Sequence, residues 1–191
     1  MLTDDVIRRI LSDRIDARRE GVGIVAGVIG DGEQRVVGYG RFSQHDARIP
    51  DRHTAFEIGS ITKVYTAILL ADMVERGEVM LDEPVQQLLP GNPPVPKRNG
   101  RSITLHDLAT HTSALPRLPD NMPDNDSPDP YSGYTIDLLY AFLSHYELTR
   151  DIGAEFEYSN VGVGLLGYAL ACRAGTDYET LLKTRVITPL Q

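Results

Sequence analysis

The sequence predicts an α/β (α+β) protein in which an N-terminal helix and a β-hairpin precede a mainly helical region. Three observations predict it. Apolar residues recur at helical spacing through 4–19, two β-branched stretches flank Asp31-Gly32, and nearly everything after residue 60 carries helical periodicity. In the first helix Val6, Ile7, Ile10, Leu11 and Ile15 form the apolar stripe, with Thr3 as N-cap. The run from Val22 to Ile29 reads as a buried strand, and Asp31-Gly32 turns the chain tightly into a second strand from Gln34 to Tyr39. From Ser60 to Arg76 the chain is apolar nearly all round, the pattern of a central buried helix, and Gly77 is placed to end it.

Thr104 and Asp107 mark another helix start. Five prolines among Asp and Asn make 116–133 a long loop without regular structure. Leu138, Leu139, Phe142, Leu143 and Tyr146 share one face of a helix near 135–147. A helix at 161–174 carries Gly162, Gly164 and Gly167, which permit close helix approach, and Thr176 with Glu179 forms a capping-box pattern for the last helix. A two-stranded hairpin is marginal alone, so the sheet reads as unfinished. The chain is expected to be one domain over 1–191, with a sheet part at 1–50 and a helical part at 51–191.

Composition narrows the function classes. With 19 Lys plus Arg against 27 Asp plus Glu, the net charge of −8 and the lack of a basic run disfavour nucleic acid and anionic membrane as partners. Hydrophobic residues at 41% are sufficient for an ordinary core. The lone cysteine, Cys172, excludes an internal disulfide and a multi-cysteine zinc site. The acidic start Met1-Leu2-Thr3-Asp4-Asp5 does not read as a signal peptide, and no run of ~18 apolar residues spans a bilayer. The expectation is a cytoplasmic protein with no cofactor and no metal.

Ser60-Ile61-Thr62-Lys63 is the sharpest chemical signal. On a helix, residues three apart share a face, so Ser60 and Lys63 can lie side by side. A serine hydroxyl needs a neighbouring base to become a nucleophile, and a lysine serves if burial and nearby positive charge lower its pKa. At a helix start, the Ser60 backbone N–H also faces where an oxyanion would develop. The plainer alternative is an N-cap serine and a solvated lysine. Tyr158-Ser159-Asn160 offers a phenol that could share the lysine's proton network and an amide that could orient a substrate. Its plainer alternative is a turn with Asn160 as N-cap and Tyr158 as a packed aromatic. His106 and His111 have poor spacing for one helical face, so His111 is expected to satisfy local hydrogen bonds, and Cys172 reads as core.

The stretch Phe56-Glu57-Ile58-Gly59-Ser60-Ile61-Thr62-Lys63 resembles the nucleophile segment of the class C β-lactamase family, which includes penicillin-recognising DD-peptidases and related esterases. Leu81-Asp82-Glu83-Pro84-Val85 with Leu89-Pro90, Thr110-His111-Thr112-Ser113-Ala114-Leu115 and Tyr158-Ser159-Asn160 resemble further family stretches in the right order. In the second of these Ala114 replaces the family's usual glycine. The resemblance implies a β-lactamase/transpeptidase-like fold and an acyl-enzyme on Ser60, with Lys63 and Tyr158 managing protons and Asn160 binding the substrate. The implied partner is a small ester, amide or β-lactam, with short-chain aryl esters ahead of β-lactams. The family's third motif, Lys- or His-x-Gly on a late strand, has no counterpart, because Lys183-Thr184-Arg185 lacks the glycine and falls where a helix is expected. A second reading is therefore a catalytically impaired module that associates through its open sheet edge, as a homo-oligomer or with a complementing C-terminal fragment.

Overall fold

The computed structural model describes residues 2–30, 32–124 and 129–190. The chain forms two compact units, Met1–Glu57 and Ile58–Gln191. Asp31 of the expected turn and residues 125–128 of the expected loop lie outside the described residues.

The first unit is one helix on a hairpin. Helix α1 (Asp4–Ser12) is capped by Thr3, whose hydroxyl accepts the Val6 N–H at 3.4 Å. Beyond Ser12 the chain widens into a π turn over Asp13–Ala17, where the Arg18 N–H reaches back to the Asp13 carbonyl at 2.9 Å. The predicted continuous helix to residue 19 is therefore α-helical only in its first half. Strands β1 (Gly23–Gly30) and β2 (Glu33–Gly40) pair antiparallel, with Ala26 opposite Val37 and Ile24 opposite Tyr39. Those four share a face, and together with Val28 they pack against Ile7 and Leu11 of α1. Arg35 Nη1 ties the helix start to β2 through Asp4 at 2.6 Å. On the other face a Cβ at Gly38 would stand 1.7 Å from the Pro50 carbonyl oxygen, so glycine is required where the backbone crosses β2.

The second unit is helical around one core. A 3₁₀ turn (Gly59–Ile61) leads into α2 (Thr62–Glu75). The hairpin β3 (Lys97–Arg98) and β4 (Arg101–Ser102) precedes α3 (Leu105–Ala109). Helices α4 (Ile136–His145), α5 (Asn160–Ala174) and α6 (Tyr178–Leu182) follow. Their apolar stripes meet in a core that includes Met73, Leu108, Phe142, Leu165, Leu166 and Leu170. Only Thr66, Leu69, Leu70 and Met73 of α2 are buried, while Ile61, Val64 and Ile68 stay exposed. The all-round apolar pattern therefore overstates the burial of this helix. Thr104 starts α3 as expected and closes a capping box with Asp107, which is also held by Arg101 Nη2 at 2.8 Å. In contrast, α6 is capped by Asp177, not Thr176: the Asp177 carboxylate accepts the Thr180 N–H at 2.9 Å, while the Thr176 N–H closes α5 on the Ala171 carbonyl. Among the described residues, no helix is long and apolar enough to cross a membrane.

Candidate active site

The nucleophile candidate comes from the turn before α2. Ser60 lies inside the 3₁₀ turn, and Lys63 is the second residue of α2. One helical turn separates them, which places Lys63 Nζ 3.3 Å from Ser60 Oγ. Ser60 is exposed and Lys63 half-buried, so the site opens to solvent instead of being sealed by an apolar helix.

The second half comes from the segment that enters α5. Tyr158 Oη donates to Ser60 Oγ at 2.7 Å across 98 residues of sequence. Lys63 Nζ stands over the Tyr158 ring, 4.7 Å from its centroid, and the Arg117 guanidinium lies 5.4 Å from the same centroid. The hydrogen bond from Lys63, then that with Ser60, pulls the Tyr158 phenol below its ordinary value, because both favour the phenolate. Lys63, Ser60 and Tyr158 thus form one proton-sharing cluster.

A buried serine places this tyrosine. Ser159 Oγ donates to the Pro116 carbonyl at 2.6 Å and accepts the Gly162 N–H at 2.8 Å, which caps α5. Its backbone N–H donates to His111 Nδ1 at 3.0 Å. The cap is therefore Ser159, and Asn160 is the first residue of the helix, contrary to the alternative that makes Asn160 the N-cap. The Asn160 side-chain nitrogen is 3.5 Å from the Tyr131 hydroxyl, while its buried Oδ1 has no hydrogen-bond partner.

His111 contributes more than its spacing in the sequence suggests. Its ring stacks on Tyr158 with centroids 4.7 Å apart. Burial, then the positive charge of Lys63, holds its imidazole below the ordinary value, which keeps Nδ1 free to accept from Ser159. The Thr110-His111-Thr112-Ser113 stretch is the signal that points to it. Arg117 carries no comparable signal. Among the described residues no three His, Cys, Asp or Glu side chains stand together as a metal site requires.

The Beta-lactamase family model matches residues 8–191. The chain is 34% identical over 165 residues to the D-alanyl-D-alanine-carboxypeptidase/endopeptidase AmpH of Escherichia coli, covering 85% of this chain and 42% of that protein. It superposes with a TM-score of 0.83 and 26% identity on the β-lactamase/D-alanine carboxypeptidase of Yersinia pestis, covering 98% of this chain and 54% of that one. The octameric penicillin-binding protein homologue of Pyrococcus abyssi gives a TM-score of 0.82 at 28% identity, over 99% of this chain and 43% of that one. The fold is β-lactamase/transpeptidase-like, and the chain spans about half the length of these relatives.

Proposed function

The chain belongs to the Beta-lactamase family, and from that premise we propose that it is a serine hydrolase acting through an acyl-enzyme on Ser60. One observation carries the reading: Ser60 Oγ lies within reach of both Tyr158 Oη at 2.7 Å and Lys63 Nζ at 3.3 Å. A hydroxyl so placed can pass its proton to a neighbour as its oxygen attacks. In the proposed sequence Ser60 Oγ bonds to the substrate carbonyl carbon while its proton passes to the Tyr158 phenolate that Lys63 favours. The tetrahedral intermediate collapses and the leaving alcohol or amine takes that proton from Tyr158. Water then adds to the acyl-enzyme, giving up a proton through the same pair, and releases the acid with Ser60 restored. The Ser60 backbone N–H is the oxyanion donor in this scheme. Asn160 orients the substrate, its unpaired Oδ1 being available for a donor.

Esters with a good leaving group are the proposed preferred substrates, ahead of β-lactams. Time-resolved intact mass with an aryl ester and a fluorophosphonate tests the reading. The expected result is a covalent adduct that turns over with the ester, persists with the phosphonate, and disappears in Ser60→Ala. Labelling that survives the substitution, or moves to Cys172, overturns it.

A second reading, in which the module associates with another copy of itself, rests on a separate observation. Ile61, Val64 and Ile68 form an exposed apolar row beside the nucleophile, and such a row invites a protein partner.

A further inference from the structure

A cavity of ≈ 510 Å³ lies against α5, walled by Asn160, Val163, Gly164, Gly167, Ala171 and Cys172 on that helix. Their three- and four-residue spacing makes one stripe along the helix, roughly 18 Å from Asn160 to Cys172 at about 1.5 Å per residue. Lys63 lines the same cavity. The groove therefore starts beside the reacting pair, since Lys63 Nζ is 3.3 Å from Ser60 Oγ, and runs away from it toward α6.

Its walls make few polar demands. Val163, Gly164, Gly167 and Ala171 present methyl groups and backbone. The polar groups among its walls are mostly satisfied elsewhere: Thr66 Oγ1 and Tyr178 Oη bond each other at 2.7 Å, Tyr168 Oη lies 3.2 Å from Tyr140 Oη, and the Asp177 carboxylate accepts from the Thr180 N–H and hydroxyl. The glycines play different parts. A Cβ at Gly167 would stand 2.9 Å from the Tyr178 ring, so Gly167 lets α6 pack closely, as the sequence suggests. A Cβ at Gly164 would meet nothing within 4 Å, so Gly164 does not serve helix approach and instead leaves the groove open.

We propose that this groove binds the acyl chain of the substrate, and that Gly164 is the specificity-determining residue that admits chains longer than a few carbons. The inference rests on the hydrolase reading and names its substrate class: esters of medium-chain aliphatic acids. The occupant follows from shape and continuity. The groove follows α5 with mostly apolar surface, and at one end it holds Lys63 of the reacting cluster. At about 30 Å³ per water-sized group, ≈ 510 Å³ equals about 17 such groups, enough for a ten-carbon chain.

The test uses ethyl and decyl fluorophosphonates on the full chain, with Cys172, the lone cysteine, as a reporter at the far end. Each buried methylene contributes about 0.8 kcal/mol, a factor of about four in rate. Decyl labelling of Ser60 is therefore expected to exceed ethyl labelling by at least tenfold, after allowance for partial burial. The decyl adduct should slow N-ethylmaleimide alkylation of Cys172 at least fivefold relative to the ethyl adduct. Gly164→Leu should abolish the decyl preference. Equal labelling rates with equal Cys172 reactivity overturn the groove assignment and leave the hydrolase reading standing. If neither probe labels Ser60, the hydrolase reading fails, and decanoate is then added to the Ser60→Ala variant. Protection of Cys172 by decanoate retains the groove as a fatty-chain site, and its absence overturns that too. Protection that grows with protein concentration, with no ligand added, assigns the groove to a second copy of the chain and also overturns the proposal.

Discussion

Ala114 should behave unlike any other buried alanine in this protein. Its φ of 62° lies in the left-handed region, where the Cβ of an L-residue crowds the following carbonyl oxygen at a cost of about 1–2 kcal/mol. It is also 1% exposed, so its methyl group is packed. Ala114→Gly removes the strain. Against that stand a lost buried methyl, about 0.8 kcal/mol, and a freer unfolded chain, about 0.4–1 kcal/mol. The terms nearly cancel, and the net change should fall within about 1 kcal/mol of zero. Ala169, 0% exposed within α5, is the control. It has no left-handed strain to relieve, so Ala169→Gly loses the methyl and about 1 kcal/mol of helix propensity, roughly 2 kcal/mol in all. Urea unfolding of both variants, followed by far-ultraviolet circular dichroism, reads the difference directly. Equal losses in the two variants would refute the claim that Ala114 is strained.

Three further outcomes are expected. Tyr158→Phe should slow acylation by about 10²–10⁴ while barely moving the melting temperature, because the ring keeps its stacking on His111 and only the hydroxyl at 2.7 Å from Ser60 Oγ is lost; Lys63→Arg should also be damaging, since a wide planar fork cannot take the place of the compact ammonium held 3.3 Å from Ser60 Oγ, and wild-type-like acylation in either variant contradicts the proton-sharing cluster. His111 is held below its ordinary value by burial and then by Lys63, so the stability it contributes is complete above the unfolded value near 6.5 and is lost as pH falls through its depressed folded value; urea titrations between pH 7.5 and 5 should show a decline that His111→Gln flattens, and parallel profiles would remove His111 from the explanation. Light scattering at low micromolar concentration should report a homo-oligomer, as the exposed Ile61, Val64 and Ile68 row suggests, and a sharp monomer mass with a cooperative melt would sink the association reading.

Local rules carried the reading of this chain wherever each element answers to its own residues. Helix α1 begins at its Thr3 cap, the strands pair about as alternation requires, and α3 starts at Thr104. Departures arise where a neighbour competes for the same group. Asp177 takes the place of Thr176 as the α6 cap, its carboxylate accepting the Thr180 N–H at 2.9 Å. Gly164 resembles Gly167 in the sequence, but only Gly167 has an aromatic ring against it. The hairpin β3–β4 has a strong turn signal in Asn99-Gly100, but its two-residue strands are too short for any periodicity to show. In the site, the nearness of Ser60 and Lys63 was legible because helix geometry enforces it. Their nearness to Tyr158 depends on packing between segments 98 residues apart. No spacing rule reaches that far, and only the resemblance to a family pointed to it.

The Tyr158-Ser159-Asn160 triplet gains its sense from its middle residue. Backbone alternation sends Tyr158 and Asn160 away from the direction taken by Ser159, so one buried anchor leaves two functional side chains free. Ser159 binds the Pro116 carbonyl with its hydroxyl, His111 with its N–H, and the first turn of α5 as its cap. Three segments are thereby fixed at one point, and Tyr158 is delivered to Ser60 without any buried contact of its own hydroxyl. Gly162 belongs to the same joint, since a Cβ there would stand 3.0 Å from Ser159 Oγ. The reacting groups are therefore solvent-facing while the frame that aims them is buried. Chemistry can then be removed at Ser60, Lys63 or Tyr158 with little loss of stability, whereas damage at Ser159 must appear as lost stability and lost acylation together.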